Sequence, residues 1–230
     1  MNTNKLKQLL VVSCTKQKKA NTKLYKSIRD FSSVEMKYIF HEDNRTGLSE
    51  MYNKHITPKT AKKHDIVVFA HDDIYIDDYK IRGKLYNAMQ QFDIIGLAGC
   101  VRPKIKKPVL WHLMADKKDW RGYVFHSFSD AEDNHGLLCS SFGFTPARVA
   151  IIDGLFMAVN IKAALKADWR FNETFEFHHY DISSCLDANQ KQLKIGTAPI
   201  HVIHDSPGLL NYDDMKFAAS ENKFIDIYGK

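Results

Sequence analysis

The sequence predicts an α/β fold: a mainly parallel central sheet flanked by helices, with a smaller region on one side. Three observations carry this. Short, almost wholly apolar runs recur at Leu9–Ser13, Asp65–Ala70 and Ile94–Ala98. Residues with helical apolar spacing separate the later runs. Two of the runs end in small or acidic groups, Ser13-Cys-Thr15 and His71-Asp-Asp73. Strands that do not alternate are covered on both faces, as strand–helix–strand order with parallel pairing requires.

Taken in order, Leu9–Ser13 reads as a buried strand. Val34–Phe40 alternates enough to be a second, ending in the polar stretch His41-Glu-Asp-Asn-Arg-Thr46. Leu48, Met51, Tyr52 and His55 fall at i, i+3, i+4 and i+7, one face of a helix, with Pro58 near its end. Asp65–Ala70 is the third strand. Ile81, Leu85, Ala88, Met89 and Phe92 form the next helical face, and Ile94–Ala98 the fourth strand. Residues Val101–Phe144, with Trp111, Trp120, Gly136 and several histidines, keep no period and read as loops with short strands. Order resumes at Val149–Gly154 and Leu155–Val159. Asp181 opens a helix carrying Ile182, Cys185 and Leu186; Lys194–Ile203 gives one or two short strands. Asn211–Tyr228 reads as a terminal helix that docks on the core through Phe217, Phe224 and Tyr228.

The chain has 230 residues, 44% hydrophobic and 26% charged. That suits one folded domain and excludes a largely disordered chain. Its halves divide at 1–100 and 101–208, with 209–230 as the C-terminal helix. The net charge is +6, with lysines clustered at Lys16, Lys18 and Lys19 and at Lys104, Lys106 and Lys107. Such clusters are either a solvated face or an attraction for an anion: a nucleoside diphosphate, an anionic lipid head group or nucleic acid. No recognised nucleic-acid motif and no long basic stripe accompanies them, so no nucleic-acid partner is expected. Four cysteines without CxxC spacing read as free thiols in a reducing compartment. No signal-peptide pattern and no run of about 18 apolar residues is present, which predicts a cytoplasmic protein with at most peripheral membrane contact.

Four segments hold candidate chemistry. In Phe69-Ala-His-Asp-Asp-Ile-Tyr75, two carboxylates sit where a buried strand ends, the place where ligands gather in open α/β sheets. They repel unless a cation lies beside them, and a divalent ion with oxygen ligands fits; a helix or turn cap fits as well. In Phe175–Leu186, Asp181 precedes a helical run, either as an N-cap or as a carboxylate with a task. In Ile200-His-Val-Ile-His-Asp-Ser-Pro-Gly208, His201 and His204 follow an apolar run, and a neutral imidazole there is a surface residue or a metal ligand. In Asn44–Asn53, Gly47 starts a helix and permits close approach to a ligand, or marks an ordinary loop.

As an ordered set these segments resemble the GT-A fold nucleotide-sugar glycosyltransferases, in particular a small family-2-like bacterial group. Asn44…Gly47-Leu-Ser-Glu-Met-Tyr-Asn53 is similar to that group's N-x-x-G-L-S-x-x-Y-N. Asp65–Asp73 is similar to D-I-V-V-F-x-H-D-D, and Phe92–Gly99 to F-D-V-I-G-V-A-G. Ile152–Met157 is similar to D-G-x-F-M. Phe171–Phe175 followed by His179–Ile182 is similar to F-D-E-x-F…Y-D-I-D. The resemblance spans Leu9 to Gly208. It implies a metal-dependent, inverting transfer of a sugar from a UDP-, GDP- or dTDP-sugar to a saccharide or other hydroxyl acceptor. Ser13, Cys14, Thr15, Glu42 and Asp43, with Asn44, Gly47, Asn53, His71 and Asp72, would hold the donor. Asp73 and His204 would hold Mn2+ or Mg2+, Asp181 would be the general base, and Trp120, Asp153 and Gly154 would meet the acceptor. Two departures stand out: His71 replaces the first acid of the usual trio, and Ser183 replaces the last acid of Y-D-I-D. They keep a non-catalytic binding protein open, and the acids and histidines alone also suit a two-metal phosphohydrolase or nucleotidyltransferase.

Overall fold

The computed structural model describes residues 7–32, 34–129, 135–205 and 215–229. The expected start of the terminal helix, residues 211–214, and the end of the resemblance, residues 206–208, lie outside them.

The chain enters through β1 (Leu9–Cys14), buried along its whole length. α1 (Lys23–Ile28) follows, its N-cap Thr22 accepting from the Tyr25 N–H at 3.1 Å. β2 (Met36–His41) pairs parallel to β1, Cys14 opposite His41. α2 (Leu48–Asn53) ends earlier than its periodicity suggests, because a separate α3 (Pro58–Lys63) begins. Pro58 therefore opens a helix at its first position, behind a Thr57 cap, and does not close the preceding one. β3 (Ile66–Ala70) is fully buried and parallel to β1. It leads into β4 (Ile74–Ile76) and α4 (Ile81–Ala88), which buries Ile81, Leu85 and Ala88.

The run expected as one fourth strand divides into β5 (Ile94–Gly96) and β6 (Ala98–Cys100), which belong to different sheets. The stretch expected as loops contains the longest strands among the described residues: β7 (Trp120–Ser129) and β8 (His135–Gly143) form an antiparallel ribbon. β9 (Ala147–Arg148), β10 (Ile151–Ile152) and β11 (Phe156–Asn160) follow, then α5 (Ile161–Lys166) and α6 (Tyr180–Gln190). β12 (Ile195–Thr197), β13 (Val202–His204) and α7 (Met215–Tyr228) complete the chain.

The larger sheet runs β2-β1-β3-β11-β5-β12-β9. Its β2-β1-β3 portion and its β5-β12 pair are parallel, as the apolar strands predict. β11 lies between β3 and β5 and runs antiparallel to both, so the sheet is mixed. The smaller sheet runs β10-β6-β7-β13-β4, with β8 on the other edge of β7. β13 brings His204 level with Ile74 on β4 and with His126 on β7. Among the described residues no helix is long and apolar enough to cross a membrane.

Candidate functional site

Two places matter, and the carboxyl end of β3 joins them. His71, Asp72 and Asp73 leave β3 where β11 has already paired with it, and the His71 N–H donates to the Leu155 carbonyl at 3.0 Å. That bond sets the 71–73 corner beside the Asp153-Gly154 turn ahead of β11. Asp73 Oδ2 lies 3.4 Å from His204 Nε2. Burial works against a charge on Asp73, but the hydrogen bond from His204 and the fields of His71 and His204 outweigh it and lower its pKa. For His204 burial also opposes charge, and Asp73 outweighs it in turn, so the imidazole pKa is raised. Asp73 Oδ1 is buried with no hydrogen-bond partner among the described residues. A buried carboxylate oxygen in that state costs free energy unless something meets it.

Asp181 stands in the first turn of α6, half-buried, with Oδ2 accepting the Gly154 N–H at 2.9 Å. Its carboxyl is pushed up to about 7, chiefly by burial and then by the field of Asp153; backbone N–H donors act the other way. Asp153 is fixed in turn: Oδ2 accepts from Trp111 Nε1 at 2.8 Å and Oδ1 from the Leu155 N–H at 3.0 Å. The neighbouring Tyr180 hydroxyl donates to the Gly154 carbonyl at 2.6 Å and meets His71 Nε2 at 3.1 Å. Since that hydroxyl spends its only proton on Gly154, the His71 ring must donate to it, which fixes the Nε2–H tautomer. A Cβ at Gly154 would fall 2.7 Å from the Tyr180 hydroxyl and 2.8 Å from Asp181 Cβ, so only glycine lets this turn approach α6. Asp153 acts on His71, His126 and His204 as well as on Asp181, which makes it the electrostatic hub of the corner.

Beside this corner is a cleft of about 1070 Å3 between the ends of β1 and β2 and the outer helix α7. Five of the expected donor residues line it: Cys14, Thr15, Asn44, Gly47 and Asp72. The others are committed elsewhere. Ser13 is wholly buried inside β1, opposite Phe40. Glu42 accepts from the Lys19 N–H at 2.6 Å and Asp43 pairs with Lys18, so both fasten the turn after β1. Asn53 accepts from the Phe171 N–H at 2.9 Å and donates to the Phe171 carbonyl at 2.9 Å and to Glu173 at 2.8 Å, which pins the 171–173 segment. His71 faces Tyr180 and does not line the cleft. At Gly47 the close neighbour is the Glu176 backbone, 3.0 Å from a would-be Cβ.

On the expected acceptor side, Trp120 spends its Nε1–H on the His112 and Ala115 carbonyls at 3.1 and 3.3 Å and packs edge-on against Trp111 and Phe142. Trp111, which shares its run with no acid, is the tryptophan that holds Asp153; pattern reading gave no sign of it. Tyr180 belongs to the segment matched to Y-D-I-D, but its contacts are not legible there; His126 carries no sequence signal at all, and it lies 5.7 Å from the His204 ring, brought there by a parallel pairing that sequence spacing does not reveal. The α7 wall of the cleft was likewise unforeseen.

No curated protein sequence matches the chain. Among solved structures, GalNAc-T7 with UDP, GalNAc and Mn2+ superposes with a TM-score of 0.56 at 10% identity, over 97% of this chain and 48% of that one. This chain thus spans about half of that enzyme. The catalytic domain of Drosophila β1,4-galactosyltransferase 7 in complex with xylobiose gives 0.52 at 8% identity, over 92% of this chain and 79% of that one. At these identities the likeness speaks for the fold, which is GT-A. The model of the glycosyltransferase-like family matches residues 10–225, and the chain belongs to that family.

Proposed function

We propose that this glycosyltransferase moves a sugar, with inversion, from a nucleoside-diphospho-sugar to a saccharide or other hydroxyl acceptor, with Mn2+ or Mg2+ as cofactor. The observation that carries the reading is that the Asp153–Leu155 turn touches both sides: its Gly154 N–H holds Asp181, and its Leu155 carbonyl takes the His71 N–H at the head of the Asp72-Asp73 corner. A cation-holding pair and a base candidate thus flank one turn. The UDP, GalNAc and Mn2+ bound to GalNAc-T7 and the xylobiose bound to the galactosyltransferase support the kind of ligand.

The residues fit a divalent cation. Asp73 offers a buried oxygen with no hydrogen-bond partner among the described residues, and His204 Nε2 lies alongside. Among the described residues no group of three ligating side chains occurs. Two protein ligands, with phosphate oxygens and water completing the shell, suit Mg2+-like ions. Such an ion supplies Lewis-acid stabilisation to the leaving diphosphate. His204 ligates only when neutral, so its raised pKa makes cation binding fall off in acid.

Asp181 takes the proton from the attacking acceptor hydroxyl. A carboxyl held near 7 is matched to that task at neutral pH, and such assistance contributes roughly 10²–10⁴-fold in rate. The Gly154 N–H steadies Oδ2, and backbone N–H groups of the first α6 turn help to orient the carboxyl. Trp111 orients Asp153; Asp153, Gly154 and the Trp120 side receive the acceptor. Cys14, Thr15, Asn44, Gly47 and Asp72 receive the nucleotide. Free cysteines, three of them buried, support a reducing, cytoplasmic setting.

The test is a panel of UDP-, GDP- and dTDP-sugars with Mn2+, read by thermal melting and by nucleoside diphosphate release. A donor at a hundred times its Kd adds about 2.7 kcal/mol, a rise of roughly 5–10 °C. A panel in which no donor raises the melting temperature and none is turned over refutes the reading.

A further inference from the structure

Four cations line the cleft and have no part in the chemistry above. Lys16 follows the end of β1, Arg45 sits in the loop before α2, and Lys216 and Lys223 stand on α7. Among the described residues the same walls carry two carboxylates, Asp72 and Glu176. Lys216 and Lys223 are seven residues apart, two helical turns, so they share a face with Ala219 and Ser220, which also line the cleft. The adjoining face holds Phe217 and Phe224, both buried, and Ser220 meets His179 Nδ1 at 2.8 Å. α7 is therefore fixed by one side while the other presents its lysines to the cleft.

Nearby lysines are neutralised: Lys18 by Asp43, Lys23 by Asp205 at 3.1 Å, and Lys54 by Glu50 at 3.1 Å. Among the described residues Lys16, Arg45 and Lys223 have no ion-pair partner. Like charges gathered on concave walls repel, and those walls focus their field outward. An anion with several oxygens relieves that repulsion through charge-assisted hydrogen bonds. The cleft is large enough for a nucleoside diphosphate with its sugar.

We infer that Lys216 and Lys223, with Lys16 and Arg45 opposite, form a diphosphate grip for the donor that works without metal. The inference rests on the transferase reading and adds to it a second anchor, apart from Asp73 and His204. All four side chains are exposed, so replacing them leaves the core untouched.

The experiment titrates inorganic pyrophosphate, and separately UDP, into the full chain in EDTA at low salt. The proteins are wild type, Lys216→Gln with Lys223→Gln, Arg45→Gln, and a control, Lys166→Gln on α5. Thermal melting checks that each is folded. Wild type should bind pyrophosphate with an affinity that falls steeply with salt. The double variant should bind about a hundredfold more weakly and Arg45→Gln about tenfold, with the control within about twofold. With a turned-over nucleotide sugar and Mn2+, the double variant should raise donor KM more than tenfold while kcat falls far less. Wild type that ignores pyrophosphate in EDTA, or a double variant that binds it as wild type does, overturns the grip. Sugar transfer with unchanged donor KM in the double variant also sinks the grip and leaves the transferase reading standing. Lysine-dependent pyrophosphate binding without turnover of any nucleotide sugar does the reverse.

Discussion

Replacing Asp181 with Asn should do two opposite things at once. The amide is nearly isosteric and its oxygen can still accept the Gly154 N–H now held at 2.9 Å. It cannot accept a proton at neutral pH, so kcat should fall roughly 10²–10⁴-fold. Stability should move the other way. A carboxyl at about 7 in the folded chain, against about 4 unfolded, means that the folded state holds the extra proton between those values. Stability is therefore lost as pH rises from about 4 to about 7. At pH 8 that charge costs the fold on the order of a few kcal/mol, and at pH 5 clearly less. Asn carries no such charge, so the variant should melt several degrees higher at pH 8, with a smaller gain at pH 5. The wild type itself should show kcat/KM falling about tenfold per pH unit below about 7. Melting curves at both pH values, with single-turnover transfer at pH 8, read all of this. Retained turnover in the variant removes Asp181 as base. A stability gain that is equal at pH 5 and pH 8 removes its raised pKa.

Two further substitutions probe the same corner. Gly154→Ala places a methyl group 2.7–2.8 Å from Tyr180 and Asp181, so it should cost about 1–3 kcal/mol and lower kcat more than donor affinity; wild-type kcat with unchanged melting would show that the turn can yield. Asp73→Ala, or His204→Ala, should abolish the gain in UDP affinity that Mn2+ brings while leaving binding in EDTA within about threefold; an unchanged Mn2+-dependent gain by calorimetry contradicts their role.

What could be read in advance follows from local physics. β1 and β3 are continuous apolar runs and came out within a residue of their ends. The acids after β3 and the α6 start were equally plain. Strand direction is not written in an apolar run, so nothing in Phe156–Asn160 announces that β11 runs against its neighbours. Nor does Ile94–Cys100 reveal that the chain changes sheets at Leu97. The β7–β8 ribbon was missed because both its faces are partly exposed and glycines interrupt it, with a register shift at Gly122 and Tyr123, so no alternation survives. The Thr57-Pro58 cap is legible in the sequence, but a proline just past a helical face equally marks that helix's end. Of the site, single residue types at strand ends were visible. The contacts that orient them were not, since Trp111 to Asp153 and His71 to Tyr180 span 42 and 109 positions.

The placing of β11 has a consequence for how the polypeptide assembles. β3 and β5 are both complete before residue 100, yet each keeps an open hydrogen-bonding edge until Phe156–Asn160 arrives to fill the slot between them. A nascent chain that has emerged only as far as Cys100 thus holds one open sheet, β2-β1-β3, and a lone β5 whose two partners, β11 and β12, are still to come, and it must wait or be sheltered. A fragment cut near that point should be insoluble on its own, and supplying the missing C-terminal piece should rescue it.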